Sequence, residues 1–301
     1  MELPHFPYWG TSVTMSTLYL TLAVNSVALG GLLFLLSSGF SLIFGLMRIP
    51  NLMHGSFFML GAYLGFSMIE RGLWFWAATI AAGLCMAFLG GILERFLLRR
   101  LSGQTLPQVL LTLGFSFMIA DICLMIWTGD PFQPKTPEHL RGAWITGGMV
   151  FPYFRLVMVL VAVVIAVLLW LMVDRTRIGA MIRAGVDDPE IARVVGIKVS
   201  QLFTLIFCLG AGLSGFAGVI GAPFLSIYPG LDAEMLPLAL IIVILGGSGS
   251  LLGAFVGSFI IAFLFNFGQA LFPNLAYVIL FLPMVLILVL RPQGLFGKLG
   301  A

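Results

Sequence analysis

Charge is what this chain has least of. Only 9% of its 301 residues are Asp, Glu, Lys or Arg, against about a quarter in soluble domains, and that shortage excludes an ordinary water-soluble domain. Cysteine offers no scaffold: Cys85, Cys123 and Cys208 stand singly in apolar segments, without metal-ligand spacing or a pairing pattern, so they read as small lipid-facing or packing residues and no metal site is expected. The three histidines (His5, His54, His139) are far apart, and no carboxylate pair falls within one apolar region. That leaves no catalytic constellation and argues against an intramembrane enzyme. No basic stripe with interleaved aromatics occurs, which removes nucleic acid as a partner. There is no Walker A loop, so the chain has no nucleotide site of its own. The opening MELPHFPYWG lacks Lys and Arg, so the basic start of a signal peptide is missing and the first apolar segment is expected to stay as a span.

What is present is hydrophobic length. The chain is 60% hydrophobic with a mean hydropathy of +1.12, and runs without charge extend from Leu156 to Val173 and from Met235 to Leu290. Such runs fit membrane helices, not the alternating ten-residue segments of a β-barrel. The fold class expected is therefore all-α, a polytopic transmembrane bundle forming a single domain over 1–301. Spans are expected near 16–45, 52–69, 73–93, 106–127, 154–173 and 202–222, with three more near 235–247, 250–268 and 273–290. Basic residues cluster at Arg95, Arg99 and Arg100, from Arg175 to Lys198, and at Arg291 with Lys298, which the positive-inside rule makes cytoplasmic. The Gly129 to Pro152 loop and the acidic Asp232 and Glu234 then lie outside. Parity gives about nine crossings, or eight if the glycine segment near 246 is re-entrant, with broken helices, the N-terminus outside and the C-terminus cytoplasmic. The 36 glycines fit close helix packing and broken spans.

The one long polar interval, 174–200, holds nine of the 27 charged residues. It contains a short helix marked at both ends: Asp188 as N-cap, Pro189 at the first helical position and Gly196 after the last turn. Asp187, Asp188 and Glu190 lie near the positive end of its dipole, and Arg193 near the negative end. Ile191, Val194 and Val195 share one face, with Ile197 just beyond. A stripe on so short a helix needs packing from elsewhere, either from the ends of its own bundle or from a soluble partner.

Two further stretches are candidates for chemistry. In GLMRIPNLMHGSFFMLGAYLGF, residues 45–66, Pro50 breaks a helix and places Asn51 and His54 at or inside the membrane edge, where an unpaired polar group is costly. They read either as the lining of a translocation path or as a hydrogen-bonded helix start with Asn51 as N-cap; Gly55, Gly61 and Gly65 fit helix packing. The run Gly246, Gly247, Ser248, Gly249, Ser250 with Gly253 is neither a Walker A loop nor a nucleophile elbow. It marks either a path or a tight reversal. Asp121 is an intramembrane carboxyl, expected to make a helix–helix hydrogen bond in preference to serving as a proton relay.

Three segments, IPNLMHGSFFMLGAYLGF, RAGVDDPEIARVVGIKVSQLFTLIFCLGAGLSGFAGVIGAPF and ILGGSGSLLGAFVGSFIIAF, together resemble the permeases of branched-chain amino acid ABC importers, in the shorter of their two subunit types. The resemblance covers nearly the whole chain. It implies a membrane subunit without an ATPase site or cofactor of its own. Its partners would be a second related permease, two cytoplasmic ABC ATPases that bind the ATP, a periplasmic substrate-binding protein and the lipid of a bacterial inner membrane. It places ATPase coupling in 174–200, on Asp187, Asp188, Pro189, Glu190, Ile191, Ala192, Val194, Val195, Gly196 and Ile197. Asn51, His54 and Gly55, with Gly246, Gly247, Ser248, Gly249 and Ser250, fall beside the substrate path. Ser56 departs from the acidic residue frequent after the His-Gly pair in amino-acid members, which leaves urea, short amides or small aromatic and organic acids as alternative solutes. A secondary transporter driven by ions is the reading of another class, and only Asp121 and His54 speak for it.

Overall fold

The computed structural model describes residues 15–47, 50–146 and 149–297. Among them run eleven α-helices: α1 (Met15–Met47), α2 (His54–Glu70), α3 (Phe75–Phe96), α4 (Thr105–Trp127), α5 (Tyr153–Arg175), α6 (Arg177–Asp187), α7 (Pro189–Val194), α8 (Val199–Leu225), α9 (Leu231–Gly246), α10 (Leu251–Leu271) and α11 (Ala276–Leu290). A hairpin of β1 (Ala143–Thr146) and β2 (Met149–Pro152) precedes α5. Among the described residues, seven helices are long and apolar enough to cross a membrane; α2 and α9, with 17 and 16 residues, are not among them.

Burial sorts the helices into an inner and an outer set. α1, α2, α8 and α9 form the centre, where Leu33, Leu35, Leu36, Phe57, Met59, Phe207, Ile241 and Ile242 are fully enclosed. α4, α5 and α11 stand around them with most of their apolar surface open. A helix that is apolar all round belongs in a core or against lipid, and both kinds occur here.

Glycine lets the inner helices approach to backbone contact. A β-carbon at Gly218 of α8 would stand 2.0 Å from the Phe58 carbonyl oxygen of α2, and one at Gly39 of α1 would stand 2.6 Å from the Gly210 carbonyl oxygen of α8. Small residues at such seams are how helices associate in lipid, where no hydrophobic force draws them together.

These seams fix directions. Gly39 meets Gly210 while Gly221 meets Leu32, so α1 and α8 are antiparallel, and the end of α1 lies beside the start of α8. The same end of the bundle collects Arg99, which donates to the Ser200 carbonyl at 2.9 Å, and the glycine run, whose Gly249 touches Gly45. It also collects the C-terminal segment, where the Leu295 and Phe296 amides donate to Leu245 and Gly246. The three basic clusters thus come together at one end in their described part; Lys298 lies outside the described residues. At the opposite end Phe132 pairs with Ile227, and Arg155 donates to Asn25 with its guanidinium over the Phe224 ring.

Three elements differ from the sequence expectation. The polar interval holds a second helix, α6, capped by the Thr176 hydroxyl, which accepts from the Gly179 amide at 3.1 Å. α9 begins at Leu231, so Asp232 and Glu234 occupy its first turn and not a loop. Asp121 of α4 is exposed and makes no hydrogen bond among the described residues, so the expected helix–helix bond does not occur among them.

Candidate functional site

Pro50 and Asn51 are non-helical, and α2 starts at His54 in the interior of the bundle. His54 is fully buried, and its Nε2 donates to the Leu36 carbonyl of α1 at 2.9 Å. A carbonyl can only accept, so this bond fixes Nε2 as the protonated nitrogen. The His54 carbonyl in turn accepts from the Ser214 hydroxyl of α8 at 2.8 Å. Asn51, also buried, is not the N-cap: its Oδ1 accepts from the Met53 amide at 3.3 Å, and Met53 precedes the helix without a side-chain cap. The Leu52 amide donates across to Thr112 Oγ1 of α4 at 3.3 Å. Among the described residues, Asn51 Nδ2 and His54 Nδ1 have no partner in the interior, a rare condition for buried polar atoms.

α9 starts at the same level. A β-carbon at Gly55 would stand 2.5 Å from the Asp232 carbonyl oxygen, so glycine is what allows the two first turns to touch. Asp232 is 7% exposed and accepts from the Ser56 hydroxyl at 2.9 Å; Ser56 and Ser116 lie 2.7 Å apart, hydroxyl to hydroxyl. Because the Ser56 proton is committed to Asp232, Ser116 is the donor to Ser56. The chain of bonds runs from α4 through α2 to α9. Ser116 is the middle residue of α4, and Ser214 is close to the middle of α8, which sets the junction at half the height of the bundle. Two helix amino ends, each carrying partial positive charge, converge there on one carboxylate.

The sequence reading missed this arrangement. Asp232 was legible as an acidic residue in the first turn of a helix after Gly230, but nothing in the order of residues says that this turn is drawn inside the bundle. Ser56, noted only as a departure from the family pattern, is the residue that holds the carboxylate.

The glycine run is a tight reversal. The Ser250 hydroxyl accepts from the Gly253 amide at 3.0 Å and caps α10, while Ser248 and Gly249 are exposed. Gly247 adopts φ +98°, and a β-carbon there would stand 2.6 Å from the Gly297 amide nitrogen. The run lies beside Gly45, nine residues along α1 from Leu36, so about 13 Å below the His54 junction at 1.5 Å per residue. The structure therefore does not bring Gly246, Gly247, Ser248, Gly249 and Ser250 together with Asn51, His54 and Gly55.

At that end the polar interval is open. Asp188 Oδ1 accepts from the Glu190 and Ile191 amides at 2.8 and 3.0 Å, with Pro189 first in α7. Gly196 takes φ +87° with free space around it, so its role is conformational and it turns the chain out of α7. Ile191, Val194 and Val195 are 63%, 87% and 71% exposed, whereas Ala192 is buried and Ile197 packs on the core. The stripe is not folded back on its own bundle. Behind it, α8 is tied to α3 by Glu94, buried at 1% exposure, which accepts from Thr204 Oγ1 at 2.6 Å and pairs with Arg99 at 3.2 Å. The signal for this tie was an acidic residue beside the arginine cluster in LERFLLRR.

The sequence profile of the family described as branched-chain amino acid transport system / permease component matches residues 22–288. The high-affinity branched-chain amino acid transport system permease protein BraD of Pseudomonas aeruginosa is 27% identical over 297 residues, covering 93% of this chain and 96% of its own length. LivH of Salmonella typhimurium, a permease protein of the same description, is 26% identical over 293 residues, 91% of this chain and 94% of its own. The autoinducer 2 import system permease protein LsrC of Salmonella paratyphi A is 26% identical over 192 residues, 60% of this chain and 51% of its own. No solved structure matches. A profile that takes in both the junction at His54 and the capped helix at Asp188 shows that this chain belongs to the branched-chain amino acid transport permease family, as a multi-pass permease component of an ABC transporter in the inner membrane.

Proposed function

We propose that this chain is one of two related permease subunits of an importer that moves branched-chain or related amino acids inward, powered by two separate cytoplasmic ATPases and supplied by a periplasmic binding protein. The observation that carries it is the capped helix α7 with its unburied apolar stripe. A short amphipathic helix displayed at the basic end of a membrane bundle has the form of a docking element, and BraD and LivH, similar over nine-tenths of this chain, are named for branched-chain amino acid transport.

The same reading orients the chain. The Arg99, Arg193 and Arg291 end faces the cytoplasm, the N-terminus lies outside, and the chain crosses nine times. α2 and α9 supply the helical part of two crossings whose remainder, at 50–53 and 226–230, is non-helical. Asn51, His54 and Gly55, joined by Ser56 and Asp232, flank the path at half depth, and the glycine run closes the inner end. Closure of the ATPases pushes on α7. Ile197 and the short link to Val199 pass the displacement to α8, and the Glu94 tie carries α3 with it. The path then opens alternately to either side.

Uptake of labelled leucine, isoleucine and valine by cells lacking this gene, with and without its return, tests the reading. Uptake restored by the gene should survive an uncoupler and stop on ATP depletion. Restored uptake that collapses with the uncoupler while ATP is plentiful would instead identify an ion-coupled carrier.

A further inference from the structure

The helix least accounted for by its own chain is α4. One face, with Gln108, Thr112, Ile119 and Cys123, is turned to the bundle and buried. Leu110, Gly114, Phe117 and Asp121 follow one another at intervals of four, three and four residues, which is one stripe of a helix, and all four are exposed. Asp121 has no hydrogen bond or ion pair among the described residues. It lies six residues before Trp127, about 9 Å along the axis from the helix end, too deep for so short a side chain to reach the interface. A carboxyl group among lipid tails is strongly disfavoured. Gly114 repeats the puzzle independently: a β-carbon there would meet nothing within 4 Å, so this chain gains nothing from a residue that weakens a helix. What such a glycine offers is a groove for another backbone.

Resting on the two-permease reading above, we propose that the stripe Leu110–Gly114–Phe117–Asp121 is the seam on which a transmembrane helix of the second, different permease packs, with a Lys or Arg of that helix against the Asp121 carboxyl. Charge selects the occupant. A second copy of this chain related by a two-fold axis through the seam would set the stripe against itself and bring two Asp121 carboxyls together, and lipid would leave the group without a partner.

The test places photoreactive benzoylphenylalanine at Phe117, and as a control at Leu160 on the exposed side of α5, in the tagged chain in the source bacterium's own membranes. The expected adduct at 117 is to an apolar helix of a different permease, with a Lys or Arg within one turn of the attachment point on peptide mapping, and none forms at 160. Asp121→Lys should lower the adduct at least tenfold, and changing the partner's cation to Asp in the same cells should restore it. An adduct only to lipid or to a second copy, or to a helix without a cation, overturns the seam, as does failure of the exchanged pair to recover. If the tagged chain still copurifies with another permease in that case, the functional reading survives the loss of the seam. If no second permease copurifies at all, the two-permease reading falls with it.

Discussion

Replacing Ile191 and Val195 of the capped helix by Asp abolishes uptake and releases the ATPases, while the permease inserts and folds as before. The separation of effects follows from exposure: at 63% and 71% accessible, neither side chain contributes packing to its own chain, and surface substitutions of this kind stay within about 0.5 kcal/mol. On a docking face the same changes remove apolar anchors and set two carboxyl groups into an apolar groove. Anchors of this type are worth about 2–4 kcal/mol each, so the double variant loses on the order of a thousandfold or more in affinity. Val194→Asp, at the most exposed position of the three, behaves likewise. Ala192→Asp is the contrast: Ala192 is 2% exposed, and its replacement damages the fold itself. Copurification of the ATPases with the Ile191→Asp/Val195→Asp permease at wild-type yield would remove α7 from the coupling mechanism.

Asp232→Ala produces the second large effect, and Asp232→Asn separates its causes. Alanine leaves the Ser56 hydroxyl without its acceptor in the interior, which costs about 1–3 kcal/mol, and takes a buried carboxylate from a place where two helix amino ends meet, worth up to about 2 kcal/mol in a buried setting. Unfolding in detergent, followed by heat, should therefore show the alanine variant clearly destabilised, with uptake at least tenfold lower. Asparagine keeps an acceptor for Ser56 but carries no charge. If it recovers stability and not transport, the charge serves the path; if it recovers both, the hydrogen bond suffices. An alanine variant indistinguishable from wild type in both measurements would show that the junction is neither structural nor functional.

Local punctuation was legible in the sequence wherever the cause was itself local. The Asp188 cap, the proline after it and the positive φ at Gly196 depend on residues within one turn of each other, and all appear in the structure at those positions. So do the apolar helices, because composition and length alone decide them. What the sequence did not disclose depends on depth. Asp232 reads as an exterior acid until the seams between α8, α2 and α9 are known, and these are set by glycines meeting residues more than 150 positions away. Glu94 likewise looks like one more charge beside an arginine cluster, and its enclosure follows from how closely α3 packs on α8. For α4 the order of residues does not say which face of the helix Asp121 occupies, and in the structure that face is turned away from the described helices.

The shortness of α2 and α9 also bears on how the polypeptide enters the bilayer. A segment needs about twenty apolar residues to partition sideways from the insertion machinery by its own hydrophobicity, and these two offer 17 and 16 helical residues, one opening on a histidine and the other carrying Asp232. Neither can be released into lipid alone; each must wait at the machinery until a neighbouring segment arrives to cover its polar end. Biogenesis is then partly concerted, and a nascent chain whose own residues end at Arg71, held on the ribosome by a spacer, should remain crosslinked to the insertion machinery, whereas one that runs on to Trp127, adding α4 with Thr112 and Ser116, should have left it. Release of the shorter chain would show that α2 inserts unaided.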